Sequence, residues 1–335
     1  MPFRRTVLAP PTHGARYHAH STPSYSGVMN NPIVSYLRPA LVLCLLSLLA
    51  LPASAETQEA KSARHAEQTI AALTQMTDAD SLAAAGLLSA GKHRDQSISL
   101  IGRAAAAAPE RADLAWLEVQ VCNEIAPCNP EPIELRLREL DPSNGAGWLG
   151  PLARASVANN DAARDAALTA LSRSDRVDFY YTTLVAHLSR AVVRTGKISA
   201  EIAEVWVIGY LAREAIPAYQ YVSNACKGER LQNIEVTETC RGVARTLQNG
   251  DTYLTEMIGA AIAKRVWPED SPEWKAAAEE RRVYEYRSAL HSKMAQREIT
   301  HPGEYLTLCA QNRREQDVVA AQLIKDGKNP NPPAE

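Results

Sequence analysis

Apolar residues recur along this chain at intervals of three and four, the spacing of one face of an α-helix. Ala63, Ala66, Ile70 and Leu73 make one such stripe; Ile98, Ile101 and Ala105 a second; Leu114, Leu117 and Val121 a third. Ile133, Leu137 and Leu140 fit a short helix, and Tyr181, Leu184, Leu188 and Val192 a longer one. Ile202, Val205, Gly209, Ala212, Ile216 and Tyr219 run 3-4-3-4-3, with Pro217 placed to kink or end the helix. Val236, Cys240, Val243 and Leu247 continue the theme, and Trp274, Ala277, Arg281 and Tyr284 lie on a charged helix. No stretch alternates at period two, so the pattern predicts an all-α chain.

Stop and start signals fall between these stripes. Asp141-Pro142 and Ser271-Pro272 each set a capping side chain before a proline at the first helical position, where its missing N–H costs nothing. Asn249-Gly250-Asp251 is placed to end one helix and cap the next. Asn329 to Pro333 reads NPNPP, and 328–335 is expected to be a disordered tail.

The breaks are periodic. Pro109 and Pro142 are 33 residues apart, a further 33 reaches Asp175, and aromatics follow at Trp116, Trp148 and Tyr181. One helix hairpin cannot bury its own apolar face, so repeated hairpins stack and share a core. The stretch DPSNGAGWLGPLARASVANNDAARDAALTALSRS (141–174) resembles a tetratricopeptide-type hairpin, with Pro151 in an early turn and Leu152 where such units carry a small residue. The likeness covers roughly 79–174. In RAAAAAP (103–109), Trp116 with the C-x5-C at 122–128, and LDPSNGAGWL (140–149), the chain is similar to exported bacterial helical-repeat proteins without assigned activity. That resemblance implies a TPR-like α-solenoid at 56–175 and an exported location, and it brings no catalytic residues. From Arg176 the helices lengthen, and 176–327 reads as a C-terminal helical layer or cap.

The N-terminus reads as an address. Ala40 to Leu51 is an apolar run preceded by Arg38 and followed by Pro52-Ala53-Ser54-Ala55. A charge, a short apolar stretch and a small-x-small end make a secretory signal. The run is shorter than the roughly 20 apolar residues of a spanning helix. Cleavage after Ala55 is expected, with Met29 the natural start and the 28 residues before it an extension. No stable membrane span remains after cleavage, and the location is periplasmic or secreted.

Export changes the meaning of the cysteines. Cys122, Cys128, Cys226, Cys240 and Cys309 follow Ala55, and in an oxidising compartment they are expected in bridges. Proximity favours Cys122 with Cys128 and Cys226 with Cys240, although five thiols permit other pairings. Cys309 is the leftover. Neither pair has the C-x-x-C spacing of a redox site.

Composition excludes more than it assigns. The chain of 335 residues is 46% hydrophobic and 22% charged, within the range of a folded protein. Its first 55 residues hold four arginines and no acid, leaving 32 bases against 38 acids. That balance argues against nucleic acid as a partner. There is no H-E-x-x-H, no G-x-S-x-G and no phosphate-cradling glycine loop. His65, His93, His187, His291 and His301 are scattered, so no metal or other cofactor is implied. Glu279-Glu280 and Glu269-Asp270 are neighbours on the chain, and adjacent helical residues diverge by about 100°, which suits solvent better than a catalytic cleft.

The reading that follows is an exported scaffold, without catalytic activity, that binds a protein or peptide in the cell envelope. Trp206, Tyr210, Tyr219 and Tyr221 are its candidate binding aromatics, against the alternative of core packing. The other reading is a hydrolase acting on cell-wall glycan, with Glu201, Glu204 or Glu214 as general acid. A secreted factor acting outside the cell is a third, supported by export alone.

Overall fold

The computed structural model describes residues 58–123, 128–214, 219–295 and 303–333. The chain divides into two units, Met1–Ala55 and Glu56–Glu335, and every described residue belongs to the second. The expected signal segment and its cleavage point lie outside the described residues, as do Ile216, Pro217 and His301.

Among the described residues the chain forms fifteen α-helices and no strand. They are α1 (Gln58–Thr74), α2 (Ala79–Ser89), α3 (Arg94–Ala107), α4 (Ala112–Asn123), α5 (Glu131–Leu140), α6 (Leu149–Val157), α7 (Asp161–Ser172) and α8 (Tyr181–Arg194). Then come α9 (Ala200–Glu214), α10 (Tyr219–Ala225), α11 (Ile234–Gln248), α12 (Tyr253–Val266), α13 (Pro272–Ala295), α14 (Glu304–Gln311) and α15 (Glu315–Lys325). Among the described residues no helix is long and apolar enough to cross a membrane.

Successive helices pack against each other: α2 with α3, α4 with α5, α6 with α7, α8 with α9, and α11 with α12. Small residues set how closely they approach. A methyl on Gly86 of α2 would stand 2.5 Å from Ile101 of α3, and one on Gly242 of α11 would stand 2.8 Å from the Ser172 backbone at the end of α7. The contacts also close across the chain. Helix α7 packs on α11, α12 on α13, α13 on α15, α15 on α14, α14 on α8, and α8 back on α2. Helix α8 therefore buries residues on nearly every side, among them Leu184, Val185, Leu188 and Val192. At the centre Trp116 stacks on Phe179 at 4.7 Å, and Phe179 meets the ring of Tyr219 edge-on at 6.0 Å.

Both favoured cysteine pairs are within bonding distance. Cys122 and Cys128 have Cα atoms 5.3 Å apart, Cys226 and Cys240 5.6 Å apart, and Cys309 is a buried thiol. Ser271 caps α13 as expected, its Oγ accepting from the Trp274 N–H at 3.2 Å.

Other signals resolve differently. No helix starts at Pro142; Asn144 caps a short 3-10 turn (Gly145–Trp148), and the Asp141 carboxylate accepts from Arg176 instead. Thr252, not Asp251, caps α12. Within 328–333, the Pro330 and Pro333 carbonyls accept from Arg287 and Arg282 of α13 at 3.0 and 2.9 Å. The largest difference is in α9. Its core face is Ala203, Val207 and Leu211, all buried, whereas Ile202 is 45% and Val205 58% exposed.

Candidate functional site

Four loops meet around two buried carboxyl groups. The loop at 141–147 pairs with the one at 174–180: Asn144 Nδ2 donates to the Asp178 carbonyl at 2.8 Å, and its Oδ1 accepts from the Asp178 N–H at 2.9 Å. Arg176 donates to Asp141 at 2.7 Å and to Ser143 Oγ at 2.6 Å. Tyr180 has a left-handed backbone (φ 56°), which a bulky residue keeps only when its surroundings impose it. Its N–H donates to Asp178 at 2.8 Å and its hydroxyl to Asp141 at 2.7 Å. From α14's end, Arg313 donates to Asp178 at 3.0 Å.

Asp251 brings in the fourth loop. Its N–H donates to the Val177 carbonyl, and its own carbonyl accepts from the Glu315 N–H at 2.8 Å. One carboxyl oxygen accepts from the Tyr181 N–H at 2.9 Å. The other has no partner among the described residues, although the side chain is fully buried. Burial, and then the nearby Asp178, push the Asp251 carboxyl well above the usual carboxylate range. The acid form of Asp251 carries a proton that an ionised carboxyl beside Asp178 would lack.

Next to this junction, α12 and α13 open into a groove of about 500 Å³. Met257, Ala260, Ala261 and Ala277 make its apolar floor. Tyr253 and Tyr284 stand along it with ring centres 5.1 Å apart, and Leu254 is 46% exposed at its edge. Lys264, Arg281 and Glu285 ring the opening; Lys264 lies over the Trp274 ring at 4.2 Å, and Arg281 donates to Glu285 at 2.8 Å. Glu315 closes the inner end and accepts from the Tyr253 N–H at 2.9 Å. Burial raises its carboxyl above the usual range and pushes the Tyr253 phenol up to about 12. A second hollow, of about 490 Å³, lies between α5 and α6, where Arg138 covers the Trp148 ring at 4.4 Å.

The aromatics singled out in the sequence do not form one surface. Tyr219 is buried, its hydroxyl 2.5 Å from Thr255 Oγ1. Trp206 and Tyr210 are half-buried on α9 against the core, with Arg213 over the Tyr210 ring at 4.9 Å, and Tyr221 is half-buried on α10. Among the acids, Glu201 is half-buried and held below its usual range by a hydrogen bond from Ser199. Burial, then the neighbouring charge of Glu201, pushes Glu204 up to about 7. The side chain of Glu214 lies outside the described residues. Glu279 pairs outward with Arg282, while Glu280 accepts from Gln248 at 2.7 Å. Asp270 pairs with Lys275 at the surface. Burial pushes the Cys309 thiol up to about 12, beside the Tyr305 hydroxyl. His187 lies 3.3 Å from Asp80, whose carboxyl is lowered to about 2 by that contact and by Arg111. Among the described residues no group of His, Cys, Asp and Glu could hold a metal ion.

Sequence reasoning missed Asp178, Asp251 and Arg313 as a set, because they are far apart on the chain. The available signal was the pair of polar breaks at 141–144 and 174–178, one period apart. Nothing in the sequence marks Tyr253 and Tyr284 as facing one groove. Comparison with known family models, with curated proteins and with solved structures finds no match to this chain.

Proposed function

We propose that this chain is an exported scaffold of stacked, TPR-like helix hairpins that seats a protein or peptide segment in the α12–α13 groove and carries no catalytic activity of its own. The groove is the observation that bears the reading. Its apolar floor, tyrosine wall and charged rim are the make-up of a peptide seat, in which buried aromatics anchor and the rim orients. The junction beneath holds it rigid, since Glu315 ties the start of α12 to the start of α15. Support for export comes from the apolar segment before Ala55 and the two cysteine pairs at bonding distance. Support for stacking comes from the consecutive pairs α2–α3, α4–α5 and α6–α7. The test is selection of peptides from a random display library, followed by binding measured by fluorescence anisotropy. Met257→Glu should weaken the selected peptides roughly tenfold or more, and Val157→Glu, exposed on α6, should leave them unchanged. Failure to enrich any peptide, or equal binding by Met257→Glu, removes the reading.

Glu204 favours a second reading, the glycan-acting hydrolase. A half-buried carboxyl pushed up to about 7 keeps its proton in about half of the molecules at neutral pH, where a general acid operates. That reading expects turnover of purified cell wall with an alkaline limb near pH 7, abolished in Glu204→Gln. An inert wild-type protein sinks it.

A further inference from the structure

The α12–α13 groove ends on an acid that lacks a basic partner. Of its two lining carboxylates, Glu285 is paired with Arg281 at 2.8 Å. Glu315 accepts from the Tyr253 N–H on one oxygen, and no lysine, arginine or histidine pairs with it among the described residues. The bases around it are engaged elsewhere. Arg314 pairs with Glu256 at 3.1 Å. Arg287 donates to the Pro330 carbonyl, and its charge acts on the Tyr253 phenol. Lys264 lies over the Trp274 ring at the opening. A half-buried carboxylate without a counter-ion is disfavoured, and an incoming cation relieves that cost. Beside it the Tyr253 and Tyr284 rings meet at 57°, and the π faces of such rings attract a cation.

We propose that the inner end of this groove is a lysine pocket, in which the seated segment lays the stem of a lysine along Met257 and Ala261 and sets its ammonium between Glu315 and the tyrosine rings. The inference rests on the peptide-seat reading and adds the side chain that the seat selects. Lysine suits the site better than arginine. One Glu315 oxygen already holds the Tyr253 N–H, so a single oxygen remains, whereas the guanidinium fork needs two for its bidentate pairing. An ammonium needs only one, and its flexible apolar stem matches the floor that leads to it. The excess of acids over bases after Ala55 favours a basic partner as well.

The test is calorimetric titration of the purified protein with n-butylammonium, which is the lysine side chain on its own. It should bind at millimolar concentration, at least about fivefold more tightly than n-butanol or n-propylguanidinium. Glu315→Gln, which keeps an acceptor for the Tyr253 N–H, should remove that preference, and Tyr284→Leu should reduce it, with the helical circular dichroism unchanged in both. Peptides selected on the protein should carry a lysine whose replacement by norleucine weakens binding about tenfold, and Glu315→Gln should abolish that difference. Butylammonium bound no more tightly than butanol, a preference that survives Glu315→Gln, or selected peptides indifferent to norleucine overturns the pocket and leaves the peptide seat standing. Butylammonium selectivity in a protein that enriches no peptide keeps the ammonium site and removes the seat instead.

Discussion

Burial and the neighbouring Asp178 favour the acid form of Asp251. Its folded-state carboxyl lies well above the ordinary 3.8, so the folded chain retains a proton that the unfolded chain releases above about pH 4. The unfolded state then binds fewer protons, and the contribution of this group to stability falls as the pH rises above 4. Asp251→Asn keeps an acceptor for the Tyr181 N–H and supplies a permanent donor toward Asp178. We expect its melting temperature to match or exceed wild type at pH 7, with a flatter profile from pH 5 to 8. Asp251→Ala leaves the buried Tyr181 N–H without its acceptor and should cost about 1–3 kcal/mol. Equal damage from both substitutions would mean that Asp251 is ionised in place. Asp80 works in the opposite sense: its carboxyl is depressed to about 2, so its contribution is present above pH 4 and is lost as the pH falls toward 2.

At the scale of the helix, close approach decides which substitutions are tolerated. Gly242→Ala would force a methyl against the Ser172 backbone at 2.8 Å, where a carbonyl cannot turn aside as a flexible side chain can. We expect a loss of about 1–3 kcal/mol in chemical denaturation. Gly102→Ala, in the interior of α3, meets Glu118 Oε1 at an ordinary 3.5 Å and should be neutral or stabilising by about 0.5–1 kcal/mol. A matching loss at both positions would overturn this account of the α7–α11 crossing. Helices are also the scale at which the sequence was most legible. Their apolar spacing and their Ser-Pro start are local, and so are the short separations that favoured Cys122 with Cys128 and Cys226 with Cys240. The orientation of α9 was not legible, because a helix apolar on both sides has no period that says which side is inward. The role of Asp141 was hidden for a different reason. A carboxylate before proline is a good cap, but Arg176 and the Tyr180 hydroxyl offer it stronger, charge-assisted partners 35 and 39 residues away.

At the scale of the whole unit, the contact of α8 with both α2 and α14 ties early and late parts of the chain together. In an open array of repeats each unit leans only on its neighbours and can melt piecemeal. Here a single cooperative transition is expected. Far-ultraviolet circular dichroism and tryptophan fluorescence, which samples α4, α9 and α13 through Trp116, Trp206 and Trp274, should report coincident denaturant midpoints. Separated midpoints would show that the closure does not couple the two ends. The four-loop junction has one more effect, on the order of events during synthesis. The Thr182 hydroxyl donates to the Arg313 carbonyl, 131 residues downstream, the Arg313 guanidinium donates to Asp178 across 135 residues, and the Asp251 carbonyl waits for Glu315. Until the helices α14 and α15 have been made, the junction lacks the groups that complete it, so its closure is a late event in synthesis.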